Sequence, residues 1–238
     1  MKKLPIILIS FITGIIAFFA SCTIIPIAGN GHLVTSERIV SSFQKINSGS
    51  SVEIRFNTSP EYRVVVTADS NLIEFVTSEI RNNTLYIEIK NGNYSFTKIL
   101  VEIYSPVLTS VSISGSGSFE SNDKVTSSIF ETNVSGSGYI KVTLESEIFS
   151  SIISGSGNIY ISGNNDNSNI KISGSGKFNG NEFITKYITI NISGSGIANI
   201  FVTDNLNAIV SGSGEINYRG NPSDVKTNIS GSGKINRL

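Results

Sequence analysis

The sequence predicts an all-β protein whose larger part is a parallel β-helix of about seven coils, with a β-rich cap at its N-terminal end. The first observation is a repeat, because seven Ser-Gly-Ser-Gly tetrapeptides follow one another at intervals of 18 to 21 residues. The second is that an apolar residue lies immediately before each tetrapeptide and another lies two residues after it. This period of two is typical of a strand with one buried face. The interval is too short for a strand plus a crossover helix, and it fits one coil of a solenoid.

The tetrapeptides are predicted to form corners of the coils, where glycine permits a sharp bend and a close approach of neighbouring coils. A phosphate-binding loop would need another glycine pattern between a strand and a helix. A flexible linker would lack the isoleucines and valines on both sides. The predicted structural turn residues are Gly115, Gly117, Gly136, Gly138, Gly155, Gly157, Gly174, Gly176, Gly194, Gly196, Gly212, Gly214, Gly231 and Gly233.

The sequence between tetrapeptides predicts two short strands per coil. A further apolar residue lies five positions before most tetrapeptides, as at Phe130 and Leu206. Stretches rich in Asn, Asp and Gly, such as residues 162–169 and 219–224, predict turns between the two strands. We place this solenoid over residues 111–238, and we expect a right-handed coil because right-handed connections dominate between parallel strands.

The region before the repeats carries strand signals without the tetrapeptide. Residues 35–110 contain alternating segments such as SVEIRFN and TLYIEIK. They predict a β-rich N-terminal region that joins the solenoid and covers its first coil, since open strand edges invite pairing with other chains. The piece from residue 70 to 80, SNLIEFVTSEI, predicts one helical turn.

The N-terminus predicts export. Two lysines precede an apolar run, and residues 1–21 are predicted to be a signal peptide. The stretch FASC resembles a bacterial lipobox, so Cys22, the single cysteine of the chain, is predicted to be lipidated and residues 22–34 to form a lipidated tether. Thr23 stands where an aspartate would retain a lipoprotein at the inner membrane, which favours the outer membrane. Plain secretion and an uncleaved transmembrane anchor stay open as alternatives.

The composition argues against several classes of function. Eighteen basic and eighteen acidic residues balance without long runs of one sign, so no nucleic-acid partner is predicted. The single histidine, His32, lies in the tether, and we predict neither a metal site nor a cofactor. A calcium site at residues 164–169, NNDNSN, is the alternative, because calcium prefers oxygen ligands.

Catalysis is not predicted, and a polysaccharide-active enzyme is kept as the alternative function. Cleavage of a glycosidic bond needs two carboxylates about 5–10 Å apart. In a solenoid, such a pair requires acidic residues at matching positions of adjacent coils. The acidic residues of the repeats scatter relative to the tetrapeptide: Glu120, Asp123, Glu131, Glu145, Glu147, Asp166, Glu182, Asp204, Glu215 and Asp224.

Several segments resemble one bacterial family, described as putative autotransporter adhesin, head GIN domain. They are ERIVSSFQKI, VEIRFNTSPEYRVVVTADSNLIEFV, TLYIEI, IYSPVLTSVSISGSG and the closing YRGNPSDVKTNISGSGKI. The resemblance implies an exported β-helical envelope protein with an adhesin-like or structural role, and it brings no catalytic residues.

Three partners are therefore expected. The membrane would hold the chain through its lipid anchor, and carbohydrate or another envelope protein would contact the Ser-, Asn- and Thr-rich outside. The strand edge at the last coil is the third site, where Lys234 and Arg237 either blunt the edge or leave it open to a partner strand or a second copy.

Overall fold

The computed structural model of the protein describes residues 26–238, so the predicted signal peptide and Cys22 lie outside the described residues. Within residues 26–238, no helix is long and apolar enough to cross a membrane. The strands before the repeats are β1 (Ile27–Ala28), β2 (Leu33–Ile39), β3 (Lys45–Ser48), β4 (Glu53–Thr58), β5 (Arg63–Asp69), β6 (Val76–Arg81), β7 (Thr84–Ile89), β8 (Tyr94–Ser95) and β9 (Ile99–Ser105).

The repeats form a β-solenoid of about seven turns, which confirms the predicted all-β parallel β-helix. Neighbouring coils pair in parallel with equivalent residues in register, so Val134 lies between Ile113 and Ile153. The strands of the solenoid are β10 (Ser110–Gly115), β11 (Ser118–Gly136), β12 (Tyr139–Gly155), β13 (Asn158–Gly174), β14 (Lys177–Gly194), β15 (Ile197–Gly212), β16 (Glu215–Arg219), β17 (Asp224–Gly231) and β18 (Lys234–Arg237).

Most coils are one continuous bent strand, which differs from the two short strands predicted. Residues 162–169 were expected to form a turn but lie inside β13 and pair with both neighbouring coils. The backbone bends there at Gly163, whose φ is +110°, without leaving its hydrogen-bonded neighbours. A true interruption occurs in the other predicted turn, since β16 ends at Arg219 and β17 begins at Asp224.

The tetrapeptides stack over one another at one corner of the solenoid. The first glycine of each has a positive φ, from 96° to 131° across the seven copies, which side chains disfavour. The second glycine lies against the preceding coil: a Cβ on Gly157 would be 2.3 Å from Val134 Cγ1 and 2.7 Å from the Gly138 carbonyl oxygen. Backbone hydrogen bonds join the corners, as where the Ser156 N–H donates to the Gly136 carbonyl oxygen at 2.9 Å.

The interior of the solenoid consists of apolar columns. The residues before the first six tetrapeptides are almost fully buried, and so are Phe130, Phe149, Ile188 and Leu206 five positions before theirs. The last coil differs, because Val225 and Ile229 at the same positions are 42% and 45% exposed. Whether this end accepts a partner strand or a second copy stays a prediction.

The N-terminal strands extend the stack below the first tetrapeptide. β3 and β4 pair in parallel with β10 and β11, and β7 and β9 pair in parallel with β3 and β4. β2, β5 and β6 add antiparallel strands around this base. The expected helical turn is a single 3₁₀ turn, Ile73–Phe75, because the residues that follow it pair with β7 as β6.

The Asp69 carboxylate joins the segment between β1 and β2 to the segment between β8 and β9. This side chain is fully buried and accepts hydrogen bonds from the N–H of Gly31 at 2.8 Å and of Thr97 at 2.7 Å. Burial alone would raise the pKa of Asp69, but the hydrogen bonds from Thr97 and Gly31 outweigh it and hold the pKa below its usual value.

The corner contacts predict a large difference between two glycine substitutions. We expect Gly157→Ala to lower the free energy of unfolding by about 1–3 kcal/mol, because the new methyl group overlaps a stiff valine and a backbone carbonyl. Gly49→Ala is the control at the corner beneath the first tetrapeptide, where a Cβ meets no atom within 4 Å. Its effect should stay within about 0.5 kcal/mol. Denaturant titration measures both, and equal effects would contradict tight packing of the corners.

The Asp69 hydrogen bonds predict a pH-dependent difference in stability. Asp69→Asn should be less stable than the wild type near neutral pH, since one acceptor oxygen cannot replace two. A lowered folded-state pKa contributes stability above the unfolded value of about 3.9, and the contribution is lost as pH falls through the folded value. The two denaturant midpoints should therefore converge in acid. A difference that is constant with pH would show that the Asp69 charge contributes nothing.

Candidate binding surface

The residues singled out from the sequence do not come together as a site. The repeat glycines lie along one corner, His32 is exposed between β1 and β2, and Cys22 lies outside the described residues. Among residues 26–238, no three His, Cys, Asp or Glu side chains are placed to share a metal ion. In the stretch considered for calcium, the Asp166 carboxylate lies 2.7 Å from Lys186 Nζ.

One column of side chains on the outside of the solenoid is unusually apolar. Register places Ile129, Ile148, Asn167, Tyr187 and Asn205 over one another in five successive coils, and we call this column the outer ridge. Its three large apolar members are 53%, 46% and 49% exposed, in chain order. Exposed apolar side chains that line up in this way are typical of interaction sites.

A groove of about 600 Å³ is formed by residues that precede the ridge in each coil. We call it the carboxylate groove, because Glu145, Glu147 and Asp166 line it together with Lys186. A second groove of about 390 Å³, the amide groove, is lined by the apolar ridge residues Ile148 and Tyr187 and by polar residues of the ridge and of the positions that follow it. These polar residues include Ser150, Asn167, Asn169, Thr189 and Asn205.

The carboxylates that converge in the carboxylate groove are largely paired with lysines. Glu145 accepts from Lys124 Nζ at 2.5 Å, and Asp166 from Lys186 at 2.7 Å. A hydrogen bond from Lys186 to Asp166 and the charge of that carboxylate raise the pKa of Lys186, so the lysine stays charged. Glu145 and Glu147 are both exposed and line the same groove.

Buried polar residues hold the floor of this groove. Asn165 Nδ2 donates to the Ser146 hydroxyl at 3.0 Å, and the Ser168 hydroxyl donates to Asn165 Oδ1 at 2.7 Å. Asn165 and Ser168 are almost fully buried. Apolar residues take the position of Ser168 in the neighbouring coils, whereas Asn165 lies between Ser146 and Thr185. Sequence reasoning missed this network. The available signal was the serine in the column of Phe149 and Ile188.

A second exposed tyrosine lies on a different run of the coils. Tyr160 is 43% exposed and lines a recess of about 320 Å³ with Lys141 and Asn179. Tyr160 is in register with Lys141 and Asn179, which the outer ridge does not include. It therefore provides a matched comparison for Tyr187.

Comparison with known proteins agrees with this architecture. A putative adhesin from Bacteroides fragilis has 22% identity and a TM-score of 0.85, with 89% of this chain and 100% of that chain covered, which shows the fold. Two structures from Parabacteroides distasonis, a putative adhesin at 28% identity and a putative lipid binding protein at 26%, each have a TM-score of 0.75. They cover 89% and 90% of this chain, and 99% of their own chains.

No protein with a curated description matches the chain. The family model described as "Putative auto-transporter adhesin, head GIN domain" matches residues 42–222, which include most of the N-terminal strands and every complete coil up to β16. The chain belongs to the head GIN domain family of putative auto-transporter adhesins.

Proposed function

We propose that the protein is a non-catalytic, adhesin-like binding module of the cell envelope, and that its outer ridge and the two grooves form the binding surface. The observation that carries this proposal is the exposed column of Ile129, Ile148 and Tyr187 with a groove along its length. Because the coils stack in register, these side chains are held on a rigid scaffold and need little ordering when a ligand binds.

The chemistry of this surface suits an extended carbohydrate. The amide groove offers hydroxyls and side-chain amides beside the Tyr187 ring, a combination of polar groups and apolar surface that fixes a ligand's orientation. Tyrosine supplies a large rigid contact at a small cost in conformational entropy. Strands about 4.8 Å apart repeat the arrangement along the solenoid, so a chain-like ligand can contact several coils. Another envelope protein with an extended segment is the second partner that this surface would accommodate.

The relatives support a binding role. The family description and the B. fragilis and P. distasonis structures carry the word adhesin, and one P. distasonis structure carries the description lipid binding. In the carboxylate groove, lysines hold Glu145 and Asp166 in ion pairs, an arrangement that suits charge complementarity better than proton transfer. Glu147 has no ion pair within the described chain, and the three carboxylates make a polysaccharide-active enzyme the second candidate.

Export and lipidation complete the proposal. The predicted signal peptide and the lipobox-like sequence before Cys22 support an envelope lipoprotein of the outer membrane, held by acyl chains on Cys22. The adhesin-like family supports a location at the cell envelope.

The proposed binding surface predicts that alanine substitution of two exposed tyrosines affects ligand binding differently. The mature chain should bind saturably to one or more members of an array of polysaccharides and glycoproteins. Tyr187→Ala should weaken that binding about tenfold or more, which corresponds to about 1.4 kcal/mol. Tyr160→Ala, the control, should bind like the wild type, and both should keep their denaturant midpoints. Equal losses in the two variants would place the binding surface elsewhere.

The same array separates the two candidate functions. Release of shortened sugars by the wild type, lost in Glu147→Gln, would replace the adhesin-like function by an enzymatic one. Binding without release supports the adhesin-like function.

Lipidation predicts where the protein is found after cell fractionation. Wild-type chains should incorporate a labelled fatty acid and sediment with membranes, whereas Cys22→Ser should incorporate none and lose this membrane attachment. Membrane association of Cys22→Ser equal to that of the wild type would favour an uncleaved anchor, which needs no acyl chain.

A further inference from the structure

A recess of about 650 Å³ lies at the base of the solenoid, between the Ser50–Ser51 corner and the segment that joins β7 to β9. Its lining contains two lysines, Lys90 and Lys98, and no carboxylate. Both lysines are exposed, and neither forms an ion pair within the described chain. The recess lining therefore carries two positive charges that no carboxylate of the lining balances.

Aromatic side chains lie beside these lysines. Tyr94 and Phe96 line the recess half-buried, with ring centroids 6.1 Å apart, and Tyr94 stacks on Phe75 at 4.6 Å. Lys90 Nζ lies 6.0 Å from the Phe75 ring. Lysines next to amphipathic aromatic rings are the combination that favours the headgroup region of a bilayer.

The chain leading to the lipidation site enters the fold at this recess. β1 pairs with β8, so Ile27 lies directly opposite Tyr94. Cys22 precedes Ile27 by five residues, and five extended residues span at most about 18 Å. The Asp69 hydrogen bonds to Gly31 and Thr97 join the incoming chain to the recess segment. A lipid on Cys22 would therefore keep the recess within reach of the bilayer surface.

We propose that this recess docks onto the anionic phospholipid headgroups of the membrane that holds Cys22, an inference that rests on the proposed lipidation. Each lysine near an anionic surface favours the docked state about fivefold, and the lipid tether removes the entropic cost of bringing the protein to the bilayer. The anchor and the basic recess then act as two signals at one end of the molecule. In this arrangement the N-terminal end of the solenoid contacts the membrane, and β14 to β18 lie farthest from the membrane.

The test attaches the protein chemically to vesicles. A chain that begins at Cys22 is coupled through its only thiol to a maleimide lipid, in phosphatidylcholine vesicles with or without phosphatidylglycerol. Amide hydrogen exchange of residues 90–98 should slow on the anionic vesicles and not on the neutral ones. Lys90→Gln combined with Lys98→Gln should reduce the ratio of docked to undocked protein about 25-fold, from about 1 kcal/mol per lysine.

A second pair of lysines provides the control. Lys177→Gln with Lys234→Gln removes the same charge from exposed positions on the solenoid, and this variant should dock like the wild type. Equal exchange on both kinds of vesicle, or an equal loss in the two double variants, would overturn the proposal. Because the tether is chemical, the experiment reports on docking whether or not cells lipidate Cys22. If wild-type cells incorporate no labelled fatty acid but the coupled protein docks onto anionic vesicles, the lipoprotein proposal is rejected and the docking proposal stands.

Discussion

The close approach of backbone to backbone at the glycine corner is the constraint on which the rest of the structure depends. A Cβ on Gly155 would lie 2.7 Å from the Gly136 carbonyl oxygen, and one on Gly174 would lie 2.5 Å from that of Gly155. The missing side chains let every corner sit directly on the corner below it. The strands on both sides then keep the hydrogen-bonding distance of a parallel sheet, and isoleucines and valines of adjacent coils fall into single buried columns.

Stacking in register also determines what the outside can do. A position that repeats inside the solenoid must stay apolar and of similar size, whereas an outward position in the same coil is free to vary. Side chains far apart in sequence, such as Ile129 and Tyr187, therefore become parts of one surface on a scaffold that holds them still. At the base, Asp69 joins the N-terminal end of the described chain to the recess segment through hydrogen bonds from Gly31 and Thr97. The proposed binding surface along the side and the proposed docking recess at the base use different residues.

The sequence was informative where the repeat is strict. The tetrapeptide and its flanking apolar residues predicted the parallel coils and the positions of the buried columns. The glycines mark each coil because a side chain at their positions would collide with the backbone of the corner below. The corner at Gly49-Ser50-Ser51-Val52 was not recognised, because its sequence no longer matches the tetrapeptide. Side chains fit at this corner, and a Cβ on Gly49 would meet no atom within 4 Å. The outer ridge was missed for another reason. An apolar residue on a strand is expected to be buried, and the exposure of Ile148 becomes visible only once the bend in each coil is known. The Asn165–Ser168 network depends on contacts between coils, which composition does not reveal.

Removal of one whole coil tests most directly whether the tetrapeptide interval is the unit of construction. Deletion of residues 197–214 joins Gly196 to Glu215. It places Ile216 against Phe178, Val225 against Ile188 and Ile229 against Ile192, so these three interior columns keep an apolar pair. The shortened protein should retain a β-sheet circular dichroism spectrum and unfold cooperatively in denaturant. The dependence of its unfolding free energy on denaturant concentration should be weaker than that of the wild type, because less surface is exposed on unfolding. A deletion variant without β structure and without a cooperative transition would contradict the account, because coils that stack as interchangeable units tolerate the loss of one.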